Sequence, residues 1–319
     1  MTAPPTTPRF LLIGSTGQVG RELVRMLSRL GPLVATARAP GQTAEAGATI
    51  GLDVTDLAAL RQVVRDVRPS IVINAAAYTA VDRAETEQDT ASQVNGVVPG
   101  VLAEEARAIG AALVHFSTDY VFDGSGTRPW REDDLVGPLN MYGRTKLQGE
   151  EAIRASGAAH LILRISWIYA PHGANFVRTM LKRGRERAEL RVVDDQIGAP
   201  TPASCVAAAT AQIVARASAG PVEFFNEQGG TVHLPCAGET SWHGFAEEIF
   251  RLARAAGLPL IVEHVTPIPT SEYPTPARRP LNSRLDGARA AERFDVRLPD
   301  WRTALAAAFP AIVIANRKT

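Results

Sequence analysis

The sequence has 319 residues, of which 45% are hydrophobic and 21% charged, the balance of a globular protein with a large core. The 34 Lys and Arg residues nearly equal the 33 Asp and Glu residues, and the net charge of +1 argues against a nucleic acid or an anionic membrane as the partner. The two cysteines, Cys205 and Cys236, are too few for a disulfide framework or a four-ligand zinc site. The Thr/Pro-rich segment Met1–Pro8 lacks a signal-peptide pattern and the apolar runs are too short to cross a bilayer, so the expected location is the cytoplasm.

Strand and helix signals alternate through the first half of the chain. Short apolar runs without polar alternation predict the strands of a parallel sheet at Arg9–Ile13, Leu33–Ala37, Ser70–Asn74, Ala112–Ser117 and Leu161–Ile165. Apolar residues at helical spacing predict helices at Gln18–Leu30, Leu57–Val67, Thr90–Ile109 and Tyr142–Ala155. Repeated strand–helix units predict an α/β fold of the Rossmann type, with a doubly wound parallel sheet.

The second half is less regular. Its predicted elements are a helix at Phe176–Lys182, a helix at Pro202–Ala217 capped by Thr201, a strand at Val222–Asn226, a helix from the cap Ser241 to Ala256, an irregular proline-rich loop at Pro267–Pro280 and a terminal helix at Asp300–Phe309. We expect a dinucleotide-binding domain over residues 1–170 and a smaller substrate-binding lobe over residues 171–319, with the chain crossing between the two.

A glycine-rich turn joins the first predicted strand to the first helix, with Gly14, Gly17 and Gly20 spaced G-x-x-G-x-x-G. Gly14 permits the turn, Gly17 lets a pyrophosphate approach the backbone, and Gly20 allows the helix to pack closely on the strand. The free amide groups at the helix N-terminus attract an anion. The turn therefore predicts a dinucleotide site, and the alternative is a glycine-rich turn without a ligand.

The end of the second strand, Ala37 followed by Arg38, has no carboxylate for the ribose hydroxyls of NAD. A guanidinium at this place suits a 2′-phosphate through charge-assisted hydrogen bonds. The pair favours NADPH as the cofactor without excluding NADH. The alternative is a solvated arginine on a loop.

Tyr142 and Lys146 lie four residues apart in a predicted helix and share one helical face. An ammonium beside a phenol lowers the pKa of the phenol, which predicts Tyr142 as a proton donor to a carbonyl oxygen. Thr118 follows the strand Ala112–Ser117, where ligands of parallel sheets bind, and its hydroxyl can hydrogen-bond the same carbonyl. The alternatives are a chance spacing on an exposed helix for the pair and a capping turn for Thr118.

Several stretches of the chain resemble one enzyme family. They are NAAAYTAVDRAE, STDYVFDG, YGRTKLQGE, RISWIYA, VVDDQIGAPT and YPTPARRPLNSRL. These stretches are similar to those of the dTDP-4-dehydrorhamnose reductases, within the extended short-chain dehydrogenase/reductase superfamily, from about Arg9 to about Trp301. The resemblance implies reduction of the C4 ketone of a nucleotide-sugar, dTDP-4-dehydro-L-rhamnose, by NAD(P)H.

The resemblance also implies roles for individual residues. Tyr142 is the proton donor, Lys146 orients the nicotinamide ribose and tunes Tyr142, and Thr118 supplies the hydroxyl. The implied cofactor contacts, besides the glycines, Tyr142 and Lys146, are Gln18, Val19, Asp53, Val54, Ala77, Tyr78 and Thr79. The implied contacts to the nucleotide-sugar, besides Thr118, are Asp119, Trp167, Asn175, Phe176, Gln196, Arg278 and Arg279.

The chain departs from the family at two places. Members that use both cofactors carry an acidic residue where this chain has Ala37. Some members are described as magnesium-linked dimers, and Glu22 and Glu189 match metal contacts of such members by position. The last helix has no carboxylate to complete the set, so we predict no metal site. A homodimer stays open.

Two other functions of the same fold remain open from the sequence. A nucleotide-sugar dehydratase needs an acidic pair beside the hydroxyl residue, and here Tyr120 follows Asp119; an epimerase or another reductase of nucleotide-sugars is not excluded. The other alternative is a non-catalytic NADP-binding regulatory subunit that holds a partner enzyme.

Overall fold

The computed structural model describes residues 8–39 and 48–317. The strands are, in chain order, β1 (Phe10–Ile13), β2 (Leu33–Ala37), β3 (Ala48–Gly51), β4 (Ile71–Asn74), β5 (Ala112–Thr118), β6 (His160–Ile165), β7 (Ile168–Tyr169), β8 (Glu189–Val193), β9 (Ile197–Gly198), β10 (Thr201–Pro202), β11 (Gly230–His233), β12 (Thr240–Ser241) and β13 (His264–Ile268). The helices are α1 (Gln18–Leu27), α2 (Leu57–Val67), α3 (Val81–Ala84), α4 (Gln88–Ser92), α5 (Val98–Ala108), α6 (Met141–Ser156), α7 (Phe176–Glu186), α8 (Ala203–Arg216), α9 (Pro221–Gln228), α10 (Trp242–Ala255), α11 (Ala288–Phe294) and α12 (Trp301–Arg317).

Within the described residues, seven strands form one sheet in the order β3-β2-β1-β4-β5-β6-β11. Every neighbouring pair in this sheet is parallel. The chain runs outward from β1 to β3 and then returns to β4 on the other side of β1, so the carboxyl ends of β1 and β4 border the switch point at which dinucleotides bind in such sheets. The predicted Rossmann-type doubly wound sheet is confirmed.

Apolar side chains bury both faces of the large sheet, which is why its strands read as continuous hydrophobic runs. One face packs against α1 and α8 through residues such as Leu23, Leu27 and Ile213. The other face packs against α2 and α5 through residues such as Leu60 and Leu102. The sheet is therefore held rigidly between two helical layers, and its carboxyl edge is the place left for a ligand.

A separate apolar cluster lies in the second half of the chain. It joins α7, α10 and α12 to the parallel pair β8 and β13 through residues such as Leu181, Leu190, Ile249 and Trp301. The strand β11 leaves this half and pairs with β6 in the large sheet. The division at about residue 170 stays a prediction.

The structure corrects several predicted elements. The proposed strand Val222–Asn226 lies inside the helix α9, which Pro221 begins, and the strand is Gly230–His233 instead. Thr201 does not cap a helix: it lies in β10, and its hydroxyl donates to the carbonyl of Ala199.

Three other predicted elements differ in extent. The single helix predicted at Thr90–Ile109 is interrupted by a π-helical turn, Gln93–Val97, between α4 and α5. The proline-rich segment Pro267–Pro280 is not irregular throughout, since it begins in β13 and contains a 3₁₀ turn, Thr270–Glu272. The last helix runs eight residues beyond its predicted end, to Arg317.

None of the helices in the described part of the chain is both long and apolar enough to cross a membrane. Residues 1–7, for which the sequence predicts no signal peptide, lie outside the described residues.

Candidate active site

The glycine turn after β1 is packed too closely for side chains. Gly14 has a φ of +84°, and a Cβ at this position would lie 2.6 Å from the amide nitrogen of Ala76. A Cβ on Gly20 would lie 2.1 Å from the carbonyl oxygen of Gly14. A Cβ on Gly17 would meet nothing closer than 3.6 Å. Gly14 and Gly20 are thus required by the fold, while Gly17 keeps the approach to the N-terminus of α1 open for a ligand.

The first turn of α1 is suited to an anion. Gly17 is the N-cap and carries no side chain that could take up the free amide groups. The next residue, Gln18, accepts a hydrogen bond at 2.8 Å from the side-chain amide of Asn175, the N-cap of α7. This contact links the predicted cofactor turn to the second half of the chain, on which the predicted sugar contacts lie.

Arg38 and Asp53 share the edge beyond β2 and β3. Asp53 accepts hydrogen bonds at 2.9 Å and 2.8 Å from the backbone amide and the hydroxyl of Thr55, and these bonds, with the nearby charge of Arg38, hold the pKa of the carboxyl below its ordinary value. Arg38 is exposed. A guanidinium and an ionised carboxylate therefore both border the place where the adenosine ribose of a dinucleotide binds in this fold.

The segment Ala75–Thr79, which follows β4, is held by a buried asparagine that the sequence analysis did not single out. Asn95, in the π-helical turn, accepts from the amide of Tyr78 at 2.8 Å and donates to its carbonyl at 3.0 Å. The phenol of Tyr78 donates to Glu87 at 2.6 Å. Ala77 and Thr79 are exposed at the carboxyl edge, so the segment presents its outer surface to a bound cofactor.

Thr118, Asp119 and Tyr142 form one hydrogen-bonded group, in which Thr118 and Asp119 are buried and Tyr142 is half-buried. The Thr118 hydroxyl donates to Asp119 Oδ1 at 3.0 Å and accepts from the amide of Tyr120 at 3.2 Å. The Tyr142 phenol is also hydrogen-bonded to Thr118. This bond lowers the pKa of the phenol, as a hydrogen bond donated by Thr118 to the phenol oxygen does, so Asp119 and Tyr142 compete for the single hydroxyl hydrogen of Thr118. Thr118 thus lies between the carboxylate of Asp119 and the phenol of Tyr142.

Burial shifts the proton affinities in this group upward. It raises the pKa of Asp119 to about 6, against the hydrogen bonds from Ser283 and Thr118. The carboxylate is 2% exposed, and its Oδ2 has no hydrogen-bond partner among the described residues. Burial also raises the pKa of Tyr142, against its hydrogen bond with Thr118. The expected lowering of the phenol pKa by Lys146 is therefore wrong for this conformation.

Lys146 turns away from Tyr142 toward β5. Its ammonium nitrogen donates to the carbonyl of Phe116 at 2.6 Å and lies 3.1 Å from His115 Nε2. Burial lowers the pKa of Lys146 to about 8, and the charge of Glu150 one turn away opposes this. Tyr142 and Lys146 do share a helical face, as predicted, but a ligand or a rotation of the lysine is needed to connect them.

A cleft of about 700 Å³ is lined by Tyr120, whose ring packs edge-to-face against that of Tyr142 with centroids 5.6 Å apart. Of the predicted sugar contacts it is lined by Asn175, Phe176, Gln196 and Arg279. Arg278 is exposed and does not line it, and the cleft lining also lacks three other predicted sugar contacts, Thr118, Asp119 and Trp167. The two arginines of the ARRP stretch are thus separated by the structure, which brings only Arg279 to the cleft.

Arg279 is fixed at one end and free at the other. Its Nη2 contacts Asp82 at 2.7 Å, while the buried Nη1 has no hydrogen-bond partner within the described residues. Tyr120 also faces this guanidinium; burial raises the pKa of the Tyr120 phenol to about 12, against the charge of Arg279. A buried guanidinium nitrogen without a partner is a donor ready for an anionic or hydroxyl oxygen of a ligand.

The aromatic wall of the cleft is Trp242, which the sequence analysis missed. Trp242 stacks on Trp167 with ring centroids 3.6 Å apart and planes 9° apart, and its indole N–H donates to Gln196 at 3.1 Å. Trp167 has a φ of +48°, uncommon for a bulky residue, and its ring packs where Gly198 leaves room. Trp167 thus supports Trp242 from behind, and the only sequence signal was a tryptophan directly after a helix cap.

The two glutamates considered for a metal have other partners. Glu22 is 3% exposed and pairs with Arg25 at 2.6 Å, and Glu189 accepts from Thr266 at 2.9 Å. In residues 8–39 and 48–317, no group of three or more His, Cys, Asp or Glu side chains is placed to hold a metal ion.

The parallel sheet, the glycine turn, and Tyr142 and Lys146 on one face of α6 are typical of a Rossmann-fold oxidoreductase of the short-chain dehydrogenase/reductase type. The family model described as RmlD substrate binding domain matches residues 8–313. By this match and by the relatives below, the chain belongs to the dTDP-4-dehydrorhamnose reductase family.

The relatives cover nearly the whole chain. The dTDP-4-dehydrorhamnose reductase of Escherichia coli K12 is 44% identical over 293 residues, which are 92% of this chain and 94% of that protein. That of Burkholderia thailandensis is 45% identical over 303 residues, which are 93% and 96% of the two chains. The crystal structure of a dTDP-4-dehydrorhamnose reductase from Bacillus anthracis in complex with NADP has a TM-score of 0.83 and 32% identity, covering 96% of this chain and 99% of that one.

Proposed function

We propose that this protein reduces the C4 ketone of dTDP-4-dehydro-L-rhamnose to dTDP-L-rhamnose, with NADPH as the preferred cofactor. The observation that carries the proposal is the contact between Thr118, at the carboxyl end of β5, and Tyr142, in the first turn of α6. The family relatives, which are named for this reaction, support the choice of substrate.

The residues present fit a dinucleotide. The turn at Gly14, Gly17 and Gly20 is a cradle from which side chains are excluded, and it leads to a free helix N-terminus suited to a pyrophosphate. Arg38 would hold the 2′-phosphate of NADPH, and Asp53 and Val54 would flank the adenine. Gln18, Val19, Ala77, Tyr78 and Thr79 would border the rest of the cofactor. When bound, the reduced nicotinamide supplies a hydride to C4.

Tyr142 would protonate the carbonyl oxygen as the alcohol forms. Its raised pKa keeps the phenol protonated at neutral pH, which is the state that a proton donor requires. The phenol hydroxyl would donate its hydrogen to the substrate oxygen at C4. Thr118 gives its own hydrogen to Asp119, and it can hydrogen-bond the ketone only if that bond is released.

The cleft would hold the rest of the substrate. The face of Trp242, backed by Trp167, suits a sugar ring and the methyl group of a 6-deoxy sugar. The free Nη1 of Arg279 and the amides of Asn175 and Gln196 would bind polar groups of the nucleotide-sugar. Asp119 would accept a hydrogen bond from a sugar hydroxyl at its unpartnered Oδ2.

The proposal is tested by mixing the protein with dTDP-4-dehydro-L-rhamnose and NADPH and following the absorbance of the reduced nicotinamide. Tyr142→Phe removes only the phenol hydroxyl and should lower turnover about 10²- to 10⁴-fold while leaving NADPH binding nearly unchanged. Tyr169→Phe is the matched control, since the Tyr169 hydroxyl is buried away from this group and has no hydrogen-bond partner among the described residues. Turnover of Tyr142→Phe within twofold of the wild type would contradict the mechanism, and no reduction by the wild type would contradict the function.

A further inference from the structure

A buried histidine lies behind the site and has no part in the proposed reaction. His115, in β5, is 1% exposed. Its Nδ1 lies 3.1 Å from the side-chain nitrogen of Asn74, at the end of β4, and its Nε2 lies 3.1 Å from Lys146 Nζ. The imidazole thus bridges the strand that carries the predicted cofactor segment and the lysine of the predicted catalytic pair.

The hydrogen bonds of Asn74 determine which ring nitrogen carries the proton. Asn74 Oδ1 accepts from the backbone amide of Ala76 at 3.1 Å. A backbone N–H can only donate, so this contact identifies the oxygen of the Asn74 side chain, and its NH₂ group must face His115. His115 Nδ1 therefore accepts a hydrogen bond, and the proton of the neutral imidazole lies on Nε2.

This tautomer places an N–H group against the nitrogen of Lys146. An ammonium has three donors and no lone pair, whereas an uncharged amine can accept from His115 Nε2–H and still donate to the carbonyl of Phe116. Burial lowers the pKa of His115 well below its ordinary value, so the imidazole is uncharged at neutral pH. Burial also lowers the pKa of Lys146 to about 8, so its uncharged amine forms about one pH unit above neutrality instead of far into the alkaline range.

The other groups that face Lys146 either favour its charged form or carry no charge. Glu150, one turn along α6, favours the ammonium, but its charge is balanced by Arg164 at 2.7 Å and Arg154 at 3.2 Å. Tyr142, one turn before the lysine, is protonated. The contact that opposes the charge of Lys146 comes from His115.

We propose that Asn74 and His115 are positioning residues that set the protonation state of Lys146, with Asn74 selecting the tautomer and His115 presenting its Nε2–H to the amine. The effect on turnover rests on the proposed function; the effect on the tautomer does not. This relay, from Asn74 through His115 to Lys146, makes the charge of Lys146 depend on a hydrogen bond made by the residue that ends β4, directly before the predicted cofactor segment.

The tautomer is read directly from the ring-nitrogen NMR shifts of protein labelled with ¹⁵N-histidine. The His115 signals are assigned by through-bond correlation to its backbone, and by their loss in His115→Gln where that variant folds. We expect a protonated Nε2 and a bare Nδ1 in the free protein at neutral pH. In Asn74→Asp the second carboxylate oxygen replaces the NH₂ donor, and the proton should move to Nδ1. A wild-type proton on Nδ1 overturns the proposal, whatever the protein catalyses.

The consequence for catalysis is read from the pH profile of turnover. Asn74→Asp leaves Nε2 as an acceptor for the ammonium, so the alkaline limb that reports Lys146 should move upward by about one pH unit. The same substitution in a His115→Gln background separates the relay from a direct effect of the new charge. A shift that disappears there supports the relay, and an equal shift in both backgrounds overturns it. If no turnover is found in any variant, the proposed function fails while the NMR result still decides the tautomer.

Discussion

Asp119→Asn should stabilise the protein at neutral pH, although it alters a predicted substrate contact. Burial raises the pKa of Asp119 from its ordinary 3.8 to about 6, so the folded protein holds this proton more tightly than the unfolded chain does. The ionised carboxyl then costs the folded state about 3 kcal/mol, at roughly 1.4 kcal/mol for each pKa unit. Below about pH 4 the group is protonated in both states and costs nothing, and the cost grows as the pH rises through 6. An asparagine avoids it and can still accept from Thr118.

The assay is urea unfolding of both proteins at a series of pH values. The variant should match the wild type near pH 4 and exceed it by up to about 3 kcal/mol at pH 7.5. Asp123→Asn is the control of opposite sign, because hydrogen bonds from Ser125 hold the pKa of Asp123 below its ordinary value and ionisation there favours folding. A difference in the free energy of unfolding that does not change with pH would refute the argument, because the charge of Asp119 would then not be its cause.

Three further substitutions test the ligand contacts. Arg38→Ala should lower the affinity for NADPH by about tenfold or more and the affinity for NADH little, because only NADPH has a 2′-phosphate for the guanidinium to bind. Titration calorimetry with both cofactors measures the two affinities, and equal losses would show that Arg38 does not bind the 2′-phosphate. Trp242→Ala should raise the KM for the nucleotide-sugar with unchanged NADPH affinity, and Trp167→Ala should do the same with an added loss of thermal stability, because its ring is packed between Trp242 and Gly198. An unchanged KM in both variants would place the sugar elsewhere.

Five of the seven strands of the large sheet were predictable because each is an apolar run of its own, whereas β3, Ala48–Gly51, was not predicted. The bounds of β2 and α2 follow from local pattern alone, and Arg68, in a left-handed conformation before Pro69, ends α2 where the sequence predicts. A strand was wrongly predicted at Val222–Asn226 because the segment holds residues common in strands, whereas Pro221 begins a helix there. The strand Gly230–His233 was not predicted because it is only four residues long and begins with a glycine, and it pairs with β6 along its whole length.

Several residues of the candidate site could be predicted from the sequence, but the contacts between them could not. The spacing of Tyr142 and Lys146 places both on one helical face, but the lysine meets His115, thirty-one residues earlier on a strand. Which partner a long side chain takes depends on distances between elements, and a sequence does not contain them. Trp242 and Asn95 were missed for the same reason, since each acts on a residue far away in the chain.

The pairing of β11 with β6 bears on how the chain folds as it leaves the ribosome. When only the first 170 residues have been made, β6 has an unpaired edge, and the apolar side of α1, with Leu23 and Leu27, has not yet met α8. Unpaired edges and bare apolar faces favour aggregation. The nascent protein therefore passes through a vulnerable interval that ends only after His233 has emerged, and slow translation between β6 and β11 would lengthen its dependence on chaperones.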